Sequence, residues 1–104
     1  MKEITVHELK EKKEKGEKFT LLDVREKFEY QISNLNGTLV PLQQLKDRLD
    51  ELDKDKEIVV MCRSGSRSVT ACHTLKENGF ENVVNLKGGV NAWAREIDSS
   101  MPVY

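Results

Sequence analysis

Ile58-Val59-Val60-Met61-Cys62-Arg63-Ser64-Gly65-Ser66-Arg67-Ser68 is the stretch that decides how this chain folds. Its apolar opening, Ile58 to Met61, marks the strongest strand in the sequence, and a buried one. A thiol follows, then small residues, and then a helix from about Arg67 to Asn78 that stops at Gly79. Working outward, the same alternation recurs. Upstream, Leu42, Leu45, Leu49 and Leu52 repeat at spacings of three and four, which predicts an amphipathic helix. Thr38-Leu39-Val40 is a short strand that must end by Pro41. Asn34-Leu35-Asn36-Gly37 is a turn, and Glu26 to Gln31 a short helix. Phe19 to Val24 is a compact apolar run suited to a strand buried on both faces. Thr5 caps a first helix carrying Val6 and Leu9, closed by Gly16, and Ile4 is a short strand before it. Downstream, Val83 to Leu86 is a strand, and Gly88-Gly89 opens a last helix carrying Val90 and Trp93. Strands alternating with helices predict the α/β class: a central parallel sheet flanked by helices on both faces. Ligands in such sheets bind beyond the carboxyl ends of the strands, which points at Cys62.

Composition narrows the function. The chain has 104 residues, with 17 Lys and Arg against 18 Asp and Glu, for a net charge of −1. That length suits a single domain over 1–104. The charge balance excludes a strongly basic nucleic-acid binder. The lysine-rich run Lys10 to Lys18 is interleaved with Glu11, Glu14 and Glu17, so it is a solvated helix face. No run approaches the ~18 apolar residues a membrane span needs, and the opening residues lack a signal-peptide core. A cytoplasmic location is expected, with Cys62 and Cys72 as free thiols. Two Cys and two His scattered this way make no metal site, and no cofactor is expected.

The turn at Ser64-Gly65-Ser66 can aim successive backbone N–H groups inward as an anion nest. The helix behind it adds its unpaired N–H groups and the positive end of its dipole. Arg63 and Arg67 add two permanent charges. All of these favour thiolate over thiol at Cys62, making it a candidate nucleophile. Such a loop lets the thiolate attack while the cradle holds an anionic product. Arg63, Ser64, Gly65, Ser66, Arg67 and Ser68 are the candidate substrate-binding residues. A core thiol ending a strand is the plainer alternative, but two arginines within five residues make a costly setting for it.

Three motifs in order carry a family resemblance. Asp23-Val24-Arg25-Glu26 followed by Glu29-Tyr30 resembles D-V-R-E…E-[FY], Cys62 to Ser68 resembles C-R-S-G-x-R-S, and Gly88-Gly89 with Trp93 resembles G-G-x-x-x-W. Together they resemble a single-domain rhodanese, a sulfurtransferase, over nearly the whole length. The resemblance implies a central parallel sheet flanked by helices and a persulfide carried on Cys62. It also implies a thiosulfate-like anion as donor, and cyanide, a thiol or a protein as acceptor. One departure stands out: where the family has G-H-I-P-G-A, this chain has Ser33-Asn34-Leu35-Asn36-Gly37-Thr38, keeping only the second glycine. The segment through Leu39-Val40-Pro41-Leu42 is similar to rhodanese domains attached to sulfur-carrier adenylating enzymes, a further pointer to a protein acceptor.

Two other functions compete. A cysteine-loop phosphatase or arsenate reductase resembles C-x5-R-[ST], whereas this loop is C-x4-R-S, a cradle shorter by one residue and better matched to a single sulfur atom. A non-catalytic rhodanese-like binding module would have lost the cysteine, which is present here. Elsewhere, Asp23 and Arg25 read as an ion-pair network bracing the loops. Cys72, among Val69, Ala71 and Leu75, reads as a core residue, and His73 beside it points elsewhere on the helix. Trp93 is a core anchor for the last helix, and His7 has no assigned role.

Overall fold

Among the described residues, five short strands form one sheet: β1 (Glu3–Ile4), β2 (Phe19–Asp23), β3 (Thr38–Leu39), β4 (Glu57–Met61) and β5 (Val83–Leu86). Their order is β1-β5-β4-β2-β3, and every adjacent pair is parallel. The computed structural model describes residues 1–103, so Tyr104, the last residue of the expected 1–104 domain, lies outside the described residues. The helices are α1 (Val6–Glu14), α2 (Lys27–Ile32), α3 (Ser66–Glu77) and α4 (Gly89–Glu96). The expected parallel α/β architecture is what the chain adopts.

Side chains alternate across a strand, so β4 feeds two cores. Ile58, Val60 and Cys62 pack with Ala71, Cys72 and Leu75 of α3. Val59 and Met61 pack on the opposite face, with Leu9 of α1 and Val90 and Trp93 of α4. Helices therefore cover both faces, and the chain leaves β4 toward one face and β5 toward the other. In parallel sheets such a switch in direction is where ligands bind, beyond the carboxyl ends of the strands, and here that end of β4 is followed by Cys62.

Local chemistry accounts for the element ends. Thr5 Oγ1 accepts the Glu8 N–H at 3.1 Å, and the Glu8 carboxylate accepts the Thr5 N–H at 3.0 Å. This reciprocal box starts α1. The leucine-rich segment differs from expectation. Leu42–Glu51 winds as a 3₁₀ helix broken at Arg48 (φ −126°) rather than as one regular α-helix. Three residues per turn put Leu42 over Leu45 and Leu49 over Leu52, and the break absorbs the step of four between the two pairs. All four leucines still meet the α3-side core.

The Ser33–Thr38 segment has its own turn chemistry. Asn34 Oδ1 accepts the Asn36 N–H at 2.9 Å, and Asn36 takes φ 60°, which asparagine tolerates. Gly37 is required by close approach: a Cβ there would lie 2.8 Å from the Leu21 carbonyl oxygen. Below this turn, Asp23 and Arg25 are both fully buried. Arg25 Nε and Nη2 donate to the Asp23 carboxylate at 3.0 and 2.8 Å, and Nη2 also donates to the Ser33 carbonyl at 2.7 Å. The pair thus ties the end of β2 to the end of α2, which is a bracing role.

Candidate active site

Cys62 follows the last residue of β4 and is 1% exposed, so the sulfur sits on the floor of the loop. The Gly65 N–H donates to Sγ at 3.0 Å. Gly65 takes φ 117° as the residue before α3, a conformation that suits glycine and turns its N–H toward the sulfur. The other loop residues divide by depth. Arg63, Ser64 and Ser66 are exposed, Arg67 is half-buried, and Ser68 is buried. Ser68 Oγ lies 3.4 Å from Sγ on the inner side, where it also meets Gly65 O at 3.0 Å and Asn85 Oδ1. Of the loop residues, Arg63, Ser64 and Ser66 therefore form the rim an incoming molecule meets first.

The paired glycines do more than open a helix. The Val90 N–H donates to Cys62 O at 2.9 Å and the Asn91 N–H to Arg63 O at 3.0 Å. The first turn of α4 thus spends its unpaired donors on the loop backbone. Gly89 sits at φ 58°, and a Cβ there would run into Cys62 O and lie 2.7 Å from Arg63 O. Gly89→Ala should therefore cost on the order of 1–3 kcal/mol from backbone strain alone. It should also shift the loop and change the rate at which Cys62 is alkylated. Denaturant unfolding with matched alkylation rates checks this; a variant with parental values for both would contradict the docking role.

Arg67 has a partner that spacing along the chain did not reveal. Its guanidinium forks onto Glu29, with Nη1 to Oε1 at 2.6 Å and Nη2 to Oε2 at 2.8 Å. Glu29 is itself buried and accepts the Glu26 N–H at 2.9 Å. Bidentate geometry of this kind fixes orientation as well as energy. The hydrogen bonds from Arg67, more than its charge, hold the Glu29 carboxyl below the usual carboxylate range. In return the hydrogen bond to Glu29 raises Arg67. A carboxyl depressed by folding stabilises the protein above its unfolded pKa, and that stability fades as pH falls through the folded value. The brace between α2 and α3 therefore weakens in acid. The motif residue Glu29 was visible in the sequence; its pairing across 38 positions was not.

The remaining marked residues lie away from the loop opening. Cys72 is fully buried, and burial pushes its thiol up to about 11. His73 is exposed, so the two occupy different faces of α3. His7 meets Glu96 at 3.1 Å on the surface. Trp93 anchors α4 in the core, with Lys13 Nζ 5.5 Å from its ring centre. Among the described residues, no group of His, Cys, Asp and Glu is placed to hold a metal ion. No helix among them is long and apolar enough to cross a membrane.

Known proteins resemble this chain in sequence and in fold. The model of the family described as "Rhodanese-like domain" matches residues 5–96. YtwF of Bacillus subtilis is 41% identical, over 92% of this chain and 93% of that protein. A protein of Allochromatium vinosum named "Sulfurtransferase" is 36% identical, over 89% of this chain and 88% of its own length. A crystal structure of a rhodanese-like domain protein from Staphylococcus aureus superposes with a TM-score of 0.84 at 33% identity, covering 89% of this chain and 91% of that one. Other relatives are longer. The chain spans 50% of a second Bacillus subtilis relative and 23% of a maize protein named "Adenylyltransferase and sulfurtransferase MOCS3-2".

Proposed function

The chain belongs to the rhodanese-like domain family, and from that membership we propose that it is a cytoplasmic sulfurtransferase, one domain over 1–104, that carries sulfur as a persulfide on Cys62. One observation carries the reading: the Cys62 sulfur lies at the end of the central strand, 3.0 Å from the Gly65 N–H and within the field of Arg67.

The chemistry has two half-reactions. The Cys62 thiolate attacks the outer sulfur of a donor such as thiosulfate. A sulfur–sulfur bond forms on Cys62, the donor's sulfur–sulfur bond breaks, and sulfite leaves with that bond's electron pair. The Gly65 N–H helps hold the charge on the loaded sulfur. A thiolate, cyanide or a protein acceptor then takes the outer sulfur and returns the Cys62 thiolate. Names among the relatives that pair adenylyltransferase with sulfurtransferase support a protein acceptor for this chain as well.

Bringing an anionic donor to a thiolate needs nearby cations. Two unit charges at 4 Å interact by about 4 kcal/mol at an effective dielectric of 20. Arg63, on the rim, is the group we assign to the entering donor. Arg67, clamped by Glu29, acts on the sulfur and braces the loop. That clamp also weighs against the phosphatase reading, in which the loop arginine would grip a substrate oxyanion.

The test is steady-state kinetics with thiosulfate and cyanide. Parallel double-reciprocal lines are expected. Arg63→Ala should mainly raise the KM for thiosulfate. Arg67→Ala should lower kcat by an amount equivalent to about 1–3 kcal/mol. Intersecting lines, or hydrolysis of an aryl phosphate as fast as sulfur transfer, would overturn the proposal.

A further inference from the structure

Behind the Cys62 sulfur runs a chain of polar side chains that the reaction above does not use. Ser68 Oγ is 3.4 Å from Sγ. The same oxygen makes a short hydrogen bond to Asn85 Oδ1. Asn85 is 1% exposed, and its Nδ2 donates to Glu3 Oε2 at 3.0 Å. Glu3 lies on β1 directly beside Asn85 of β5, and is exposed. The chain thus runs from the buried sulfur to the outer edge of the sheet.

Its polarity follows from what each group can do. An ionised carboxylate only accepts hydrogen bonds, so Glu3 fixes which way the Asn85 amide points. With Nδ2 held by Glu3, Oδ1 must face Ser68. Both Oδ1 and Gly65 O, the other neighbour at 3.0 Å, are acceptors, so the single Ser68 proton points away from the sulfur. A lone pair of Ser68 then faces Sγ. That arrangement accepts an S–H and offers nothing to a thiolate. When the Cys62 proton leaves to solvent, Ser68 can serve the thiolate only by turning its proton from Asn85 to Sγ. Two acceptor oxygens, Ser68 Oγ and Asn85 Oδ1, would then face each other at short range.

We propose that Glu3 and Asn85 are positioning residues that hold the Ser68 proton away from Cys62 and so favour its protonated form over the bare thiolate. The proposal rests on Cys62 as the sulfur carrier. It gives loading a direction: in the persulfide the charge moves to the outer sulfur, away from Ser68, and Ser68 keeps its proton on Asn85. The relay works alongside the other groups around the sulfur. These are Arg63 and Arg67, Cys72 of α3, and Glu29 of α2, which acts through Arg67.

The test is the pH profile of Cys62 alkylation by iodoacetamide in a Cys72→Ser background. Glu3→Gln can donate to Asn85, letting the amide reverse and release the Ser68 proton to the sulfur. The midpoint should fall by roughly 0.5–1 pH unit, since a hydrogen bond to the charged form favours it. The shift should vanish when Ser68→Ala is added. An unchanged midpoint in Glu3→Gln overturns the proposal. So does an equal shift with and without Ser68, which would mean that the lost charge acts through space. Alkylation reports Cys62 whether or not it carries sulfur, so failure of the sulfur-carrier reading would appear separately, as absent sulfur transfer.

Discussion

Cys62→Ser should abolish sulfur transfer from thiosulfate to cyanide, by more than about 10³-fold, while Cys72→Ser keeps most of it. The two thiols belong to the same core cluster, yet their settings differ. Cys62 has a backbone N–H on its sulfur and an arginine charge nearby. Cys72 is wrapped in α3 packing, and burial raises its thiol to about 11, where little thiolate forms at neutral pH. Serine in place of Cys62 keeps the size and loses the nucleophile, since a hydroxyl in this loop has no general base beside it. The comparison of the two variants under one set of conditions decides the assignment. A dead Cys72→Ser with a working Cys62→Ser would reverse it.

Asp23→Ala should be the most destabilising single change outside the loop. Arg25 is fully buried, and its guanidinium is satisfied mainly by Asp23. Breaking a buried ion pair from one side strands the other charge, at a cost of about 3–5 kcal/mol. Domains of this size have roughly 5–15 kcal/mol in total. At about 4–8 °C per kcal/mol, Tm should fall by roughly 12 °C or more. Replacing both partners with apolar residues should recover part of the loss, because no charge is then left alone. Thermal unfolding of the single and double variants checks this. A single variant within a few degrees of the parent would mean that the pair does not brace β2 against α2.

The parts of the fold that were legible in sequence are those fixed by neighbours along the chain. Ile58 to Met61 announce a buried strand through composition, and the small residues after Cys62 announce a turn into a helix. Thr5 signals the first helix start as a cap, and the structure adds the reciprocal bond to Glu8. The leucine segment was legible as an apolar stripe but not in its winding. Spacings of three and four suit an α-helix, and only packing on α3 selects the 3₁₀ turns and the break at Arg48.

Contacts between distant residues were not legible. Glu29 and Arg67 meet only because α2 and α3 both begin at the loop side of the sheet. The Gly88-Gly89 pair signalled a tight entry to α4, but its reason is the carbonyls of Cys62 and Arg63. Asn85 sits within an apolar strand, and a polar residue between Val84 and Leu86 was the one available sign that something buried needed a partner. Parallel pairing with β1 supplies Glu3, and packing under α3 supplies Ser68. Neither neighbour is visible from the strand itself.

The most direct measurement of the central claim is the intact mass of the reduced protein after incubation with thiosulfate and removal of excess donor. A gain of one sulfur atom is expected. That gain should be absent in Cys62→Ser, retained in Cys72→Ser, and lost on adding cyanide. A protein of unchanged mass, or a gain that survives in Cys62→Ser, would contradict it.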